Sequence, residues 1–163
     1  HAATRAELEK LALLAGPSGT LTVETISEAL GDSAVLAVDD VANAVATGHV
    51  PALSKALQKA WREEANCVMI IRGCQTYFNQ LSMLGYAVLA GQSPQNAVRG
   101  LRPPVHFKLQ DALIRNLKKW QPKHCMDIVN RLQDIEINIK SRGINDRTFT
   151  SQSLLGLCLR AQR

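Results

Sequence analysis

The chain has 163 residues, enough to bury a hydrophobic core and typical of one domain with part of a second. Aromatic residues make up only 4% of it, which favours helices packed through Leu, Val, Ile and Ala over a β-sandwich. There is no signal peptide and no apolar run near the roughly 20 residues that span a bilayer. The four cysteines have no zinc-ligand spacing, so a reducing cytoplasm is expected.

The formal net charge of +5 is unevenly distributed along the chain. Residues 1–66 hold five Lys/Arg against nine Asp/Glu, a net charge of −4. Residues 67–163 hold fourteen against five, a net charge of +9. This asymmetry suggests that the second part faces nucleic acid or an acidic protein surface. A solvated basic face without a partner is the alternative.

The N-terminal part of the sequence predicts two short helices. A capping box formed by Thr4 and Glu7 starts the first helix. Thr22 caps the second, and Gly31 ends it. Two short helices can cover little of each other's apolar faces, so residues 1–32 resemble the end of a domain whose earlier part is missing.

The middle of the chain predicts a short apolar link followed by three helices. Residues 33–38 form the link, and Asp39-Asp40 are placed at the N-terminus of a helix that ends at Gly48. Pro51 suits the first turn of the next helix. The longest helix follows, with apolar residues on more than one side, which predicts a central place in a bundle. Its main stripe consists of Ile70, Cys74, Tyr77, Leu81, Leu84 and Val88.

Prolines divide the last part of the chain. Ser93-Pro94 starts a short helix that ends before Pro103-Pro104, and a basic amphipathic helix begins near Phe107. Pro122 opens another long helix, which runs to about Ser141. In a final helix the inward residues are predicted to be Leu154, Leu155 and Cys158. The sequence therefore predicts an all-α bundle of about nine helices.

No catalytic constellation is recognisable in the sequence. It contains no P-loop, and its four histidines have no metal-ligand spacing. His124 and Cys125 are neighbours, but neighbouring residues on a helix point about 100° apart and so do not form a nucleophile–base pair. Cys74, Cys125 and Cys158 fall on apolar stripes and are predicted to be small buried hydrophobic residues. We expect no catalytic, cofactor or metal site in these residues.

Residues 101–108, LRPPVHFK, resemble the R-P-P-[VIL]-[HF]-[FW]-[KR] segment of the delta subunit of the bacterial DNA polymerase III clamp loader. The similarity continues at Asp111-Ala112-Leu113 and Trp120. Similar segments also occur, in the family's order, at residues 8–13, 21–24, 31–32, 132–135, 139–141 and 154–157. Together these segments extend over the whole chain.

The resemblance implies a division into two domains. Residues 1–32 would end a small helical AAA+ lid domain, and residues 33–163 would form the collar, through which five subunits close a ring. It also implies a subunit that does not hydrolyse ATP and that opens the sliding clamp through a missing N-terminal domain. The implied partners are other clamp-loader subunits (gamma/tau and delta prime), the sliding clamp and DNA within the complex, with no membrane involved.

Two functions compete for the basic part of the chain. One is an assembly module that binds other loader subunits, and the other is a basic helical nucleic-acid-binding module. Candidate partner or DNA interface residues are Arg102, Lys108, Arg115, Lys118, Lys119 and Lys140. The nucleic-acid-binding function would use the first five of these together with Arg99 and Lys123. Against nucleic-acid binding, Phe107 and Trp120 suit burial better than base stacking. A hydrolase would need a converging site that the sequence does not show.

Overall fold

The computed structural model describes the backbone of residues 23–102, 107–142 and 147–162, and the side chains of 33–102, 109–141 and 147–162. Within these ranges it has seven helices and no strand, so the predicted all-α bundle is confirmed. The helices are α1 (Val23–Thr47), α2 (Val50–Arg62), α3 (Cys67–Leu89), α4 (Pro94–Arg99), α5 (Phe107–Lys119), α6 (Pro122–Arg142) and α7 (Arg147–Arg160). The predicted helix that starts at Thr4 lies outside the described residues.

Helix α1 differs from the sequence prediction. It is one continuous helix of 25 residues that passes through Gly31. The predicted helix end at Gly31 and the predicted link at residues 33–38 are therefore wrong. Asp39-Asp40 lie within the helix and not at its N-terminus. Asp40 instead forms an ion pair with Lys59 of α2, with 2.8 Å between Oδ2 and Nζ.

The continuity of α1 follows from its buried side chains. Ala34, Val38, Val41 and Val45 are buried and repeat at steps of four, three and four, so one apolar stripe crosses the predicted link. Glycine within a helix costs only about 1 kcal/mol relative to alanine, which packing of such a stripe can offset. Within the described residues, α1 therefore takes the place of two of the predicted helices and the link between them.

The turn between α1 and α2 matches the sequence prediction. Gly48 adopts a left-handed conformation, with φ of 75°, and its N–H donates to the carbonyl of Ala44. The Nδ1 atom of His49 accepts a hydrogen bond from the N–H of Ala52 and so caps α2, which has proline in its first turn.

Helix α3 lies at the centre of the bundle, as predicted, and packs against both α1 and α6. Five of the six predicted stripe residues are buried, namely Ile70, Cys74, Tyr77, Leu81 and Leu84, and the sixth, Val88, is partly buried against the core. The sequence analysis did not identify the N-cap of α3, Asn66, whose Oδ1 accepts a hydrogen bond from the N–H of Met69 at 2.8 Å.

Two glycines of α3 allow its neighbours to approach closely. A Cβ atom on Gly73 would overlap with Val38 of α1. A Cβ atom on Gly85 would lie 2.7 Å from Cγ of Pro122, at the start of α6. Glu136, near the far end of α6, contacts Arg72 near the start of α3. The two helices are therefore antiparallel.

The C-terminal helices agree with the prediction except at one leucine. Helix α5 begins at Phe107 and α6 at Pro122, as expected. In α7, Leu154 and Cys158 are buried, but Leu155 is exposed and Leu157 takes its place in the core. Leu157 and Cys158 follow Leu154 by three and four residues, so all three lie on one face of the helix. Leu155 is the next residue after Leu154 and points about 100° away from it.

Candidate interaction surface

The predicted basic residues whose side chains the structure describes lie on three different segments of the chain. Arg115, Lys118 and Lys119 are exposed on α5, the last two in its final turn. Lys140 lies 18 residues after the start of α6, roughly 27 Å along the helix axis from it. Arg102 is exposed just beyond α4. The side chains of Phe107 and Lys108 lie outside the described residues.

Two residues at the end of α5 are occupied in holding the C-terminus of α1. Lys119 donates through Nζ to the carbonyl of Thr47 at 2.9 Å, and Trp120 donates through Nε1 to that of Ala46 at 2.8 Å. These bonds satisfy carbonyls that have no partner within the helix, and the lysine charge suits the negative end of the helix dipole. Trp120 also packs edge-on against Phe78, with 5.1 Å between ring centroids, so its predicted burial role is confirmed.

Lys140 belongs to a cluster around Glu136 that ties α6 to α3. The Glu136 carboxylate accepts hydrogen bonds from Nε of Arg72 at 2.9 Å and from Nε2 of Gln75 at 3.0 Å, and it pairs with Lys140 one turn away. The bond from Lys140, helped by Gln75 and Arg72, lowers the pKa of Glu136 to about 2, against the burial that raises it. Two cations therefore share one carboxylate, which leaves a local charge of about +1.

A buried polar network joins α1, α3 and α5. Nδ2 of Asn116 donates to the hydroxyl oxygen of Tyr77 at 2.8 Å and to Oδ1 of Asn43 at 3.1 Å. The Tyr77 hydroxyl also donates to Oδ1 of Asn43 at 3.3 Å. Burial, more than any other cause, raises the pKa of Tyr77 to about 12, so the phenol stays neutral at pH 7. The sequence signal for this network is Asn116 itself, three residues after Leu113 on the apolar side of α5.

The structure shows the surroundings of the cysteines and of His124. Among those residues no group of three or more His, Cys, Asp or Glu side chains is placed to hold a metal ion. The burial predicted for Cys74, Cys125 and Cys158 is confirmed, and it raises the pKa of Cys74 to about 12 and that of Cys125 to about 11. His124 is exposed, on a different side of α6 from Cys125.

Several large apolar residues that were not predicted from the sequence lie at the surface of α3 and α6. On α3, Met83 and Tyr86 are each 57% exposed and Leu89 is 75% exposed. On α6, Met126 is 39% exposed. The sequence signal for the three residues of α3 was their position away from the main apolar stripe of that helix. No helix in the described ranges is long and apolar enough to cross a membrane.

Comparisons of the chain with protein-family models, with curated proteins and with solved structures find no match. The basis for assigning a function is therefore the sequence motif at residues 101–108 together with the placement of exposed and buried side chains described above.

Proposed function

We propose that this chain is the C-terminal region of a delta subunit of the bacterial DNA polymerase III clamp loader, which helps to load the sliding clamp onto DNA in the cytoplasm. The proposal is carried by the LRPPVHFK segment at residues 101–108, whose resemblance to the family is extended by further segments in the same order. An all-helical bundle is also what a collar requires. In this proposal residues 1–32 end the lid domain and residues 33–163 form the collar.

The proposed role is assembly without catalysis. The collar would bind gamma/tau and delta prime subunits, and the sliding clamp would be bound by a domain that precedes this region. Such a role requires helices that keep a constant relative position while neighbours bind. The Asn43–Tyr77–Asn116 network and the Glu136 cluster supply that rigidity, because together they tie α1, α3, α5 and α6 through buried or half-buried hydrogen bonds.

A second candidate is direct binding of nucleic acid. It is favoured by the exposure of Arg115, Lys118 and Lys123 close to the α5–α6 turn, with no acidic residue in the first turn of α6. The engagement of Lys119 and Trp120 with α1 argues against it, because it removes one cation and the nearest aromatic ring from any stacking surface. Contact with DNA phosphates inside the assembled loader remains compatible with the first proposal.

The test is co-elution of the full chain with purified gamma/tau and delta prime subunits on a size-exclusion column. A complex that persists at 200 mM salt is the expected result. The competing result is no complex, combined with binding of a single-stranded oligonucleotide that weakens by orders of magnitude between about 50 and 200 mM salt. That combination would replace the assembly proposal with the nucleic-acid proposal.

A further inference from the structure

The outer face of α3 has the composition of a protein interface. Arg72 is the one charged residue among the 23 of this helix. Its exposed positions beyond Arg72 are uncharged, and towards the C-terminal end they are Met83, Tyr86 and Leu89. The centres of protein interfaces are depleted in charged residues and enriched in Tyr and Met. Exposed apolar residues grouped in this way mark binding surfaces more often than ones scattered singly.

Helix α6 extends this surface. The close approach of Pro122 to Gly85 shows which side of α6 borders α3 at this end. Met126 follows Pro122 by one turn, so it lies on that same side. We call the surface formed by Met83, Tyr86, Leu89 and Met126 the outer patch. Leu89 and Tyr86 lie about 40° and 100° around α3 from Gly85, and Met83 lies further round the outer face of the helix.

A group with an excess of positive charge lies beside α3 towards its N-terminal end. The side chains of Arg72 and Lys140 are 61% and 51% exposed, and both pair with Glu136, which is 12% exposed. Each cation therefore still has donors facing solvent, and the group carries one excess positive charge. Arg72 lies 14 residues before Tyr86, roughly 21 Å along the axis of α3, a distance matched by four turns of a helix.

We propose that the outer patch docks an amphipathic helix of another protein. The docked helix places its apolar side chains on the outer patch and an Asp or Glu beside Arg72 and Lys140. The inference rests on the proposed function in taking another protein as the partner, and it adds the contact face and the chemistry of the partner. Residues 67–163 of a second copy carry a net charge of +9 and would be repelled by the Arg72–Lys140 group. The acidic residues 1–66 of a second copy are the competing occupant, and concentrating the chain alone tests for it.

The experiment uses the full chain with ¹³C-methyl methionine, which gives three methyl signals, from Met69, Met83 and Met126. The probe is an 18-residue amphipathic peptide with Leu at helical spacing on one face and Glu on the other, and its partner peptide has Lys in place of Glu. We expect the Glu peptide to shift the Met83 and Met126 signals more than that of Met69, whose side chain is partly buried against the core. We expect the Lys peptide to bind at least tenfold more weakly.

Variants locate the contact. Tyr86→Ser and, separately, Met83→Gln should each lower the affinity for the Glu peptide by tenfold or more, as substitution of a buried interface anchor does. Leu159→Gln is the matched control, because Leu159 is an exposed leucine on α7, and it should change the affinity less than twofold. Circular dichroism of each variant checks that it is folded, and the two separate variants keep the test decisive if one of them unfolds.

Four outcomes would overturn the inference. Two concern the peptides: equal binding of both, or no binding of the Glu peptide. The other two are methyl shifts that appear on concentrating the chain alone, and shifts of the Met83 and Met126 signals caused by a single-stranded oligonucleotide. The co-elution test is independent of these. Failure to bind loader subunits with retained binding of the Glu peptide would reject the clamp-loader proposal alone, and the reverse would reject the docking face alone.

Discussion

At the scale of single residues, Glu136 shows how a carboxylate can stabilise a helical interface and stay charged. Its side chain is mostly buried between α3 and α6, and burial alone would favour the protonated form. Hydrogen bonds from Lys140, Gln75 and Arg72 reverse that preference and bring its pKa to about 2. The ionised form is thus the one that holds the two helices together.

This shift predicts a specific dependence of stability on pH. The pKa of Glu136 is lower in the folded chain than the ordinary 4.5, so its contribution to stability is complete above about pH 5 and is lost as the pH falls towards 2. Glu136→Gln should remove this part of the acid destabilisation. Urea unfolding midpoints measured from pH 6 to pH 2 give the comparison. Parallel curves for the two proteins would show that the cluster does not form in solution.

A second prediction at this scale concerns Asn116 in the buried polar network. Asn116→Ala removes the donor that joins Tyr77 to Asn43 and should lower the free energy of unfolding by about 1–3 kcal/mol, since buried polar partners lose a hydrogen bond. The matched control is Asn79→Ala, at an exposed position on α3, where a change within about 0.5 kcal/mol is expected. Urea denaturation measures both, and equal effects would mean that the network adds nothing to stability.

At the scale of helices, close approach decides how α1, α3 and α6 are arranged. Gly73 and Gly85 lie on α3 where α1 and α6 come nearest, and neither leaves room for a Cβ atom. Glycine is unfavourable within a helix, so its presence twice in a central helix is explained by what the absent side chain allows. Leucine or alanine at these positions would hold the neighbouring helices further apart and leave their apolar stripes less well covered.

A pair of alanine substitutions tests this reading. Gly73→Ala should lower the free energy of unfolding by about 1–3 kcal/mol, because the overlap with Val38 outweighs the gain in helix propensity. Gly156→Ala, in α7 with no atom within 4 Å of the new Cβ, should raise it by about 0.5–1 kcal/mol. Thermal melting of both variants against the parent chain provides the measurement. Stabilisation by both would show that α1 and α3 are not in close contact at Gly73.

At the scale of the whole molecule, α1 connects the two proposed domains. The sequence analysis places a boundary after residue 32, whereas α1 runs from Val23 to Thr47 without interruption. A helix can cross a domain boundary when one of its halves packs in each domain. In its second half, Ala37, Val41 and Ala46 are fully buried, and the side chains of Lys119, Trp120 and Gln162 cap the carbonyls at its C-terminal end.

Hydrogen exchange tests this division within one helix. If residues 1–32 end an incomplete domain, their amides lie in a segment with few buried contacts, so we expect them to exchange much faster than those of residues 37–47 and of α3. Mass spectrometry of peptides from the full chain, at a concentration where it is monomeric, resolves the two halves of α1. Uniform protection along α1 would remove the boundary and assign residues 23–32 to the bundle.

The sequence by itself determined where most helices begin and end and which face of α3 is buried. Pro51, Pro94 and Pro122 mark helix starts and Gly48 a helix end because their backbone preferences act locally, whatever surrounds them. The buried stripe of α3 is also predictable from local sequence, because its apolar residues recur with the period of an α-helix.

Only the tertiary structure decided the features that depend on distant partners. Gly31 does not end α1, because the packing of α1 against α2 and α3 outweighs a local preference of about 1 kcal/mol. Lys119 and Lys140 are basic residues of the kind that bind acidic partners, yet in the structure they contact Thr47 and Glu136. No local sequence pattern encodes those contacts. Pro122 at the start of α6 lies against Gly85 of α3, and that contact depends on how the two helices pack rather than on any local pattern.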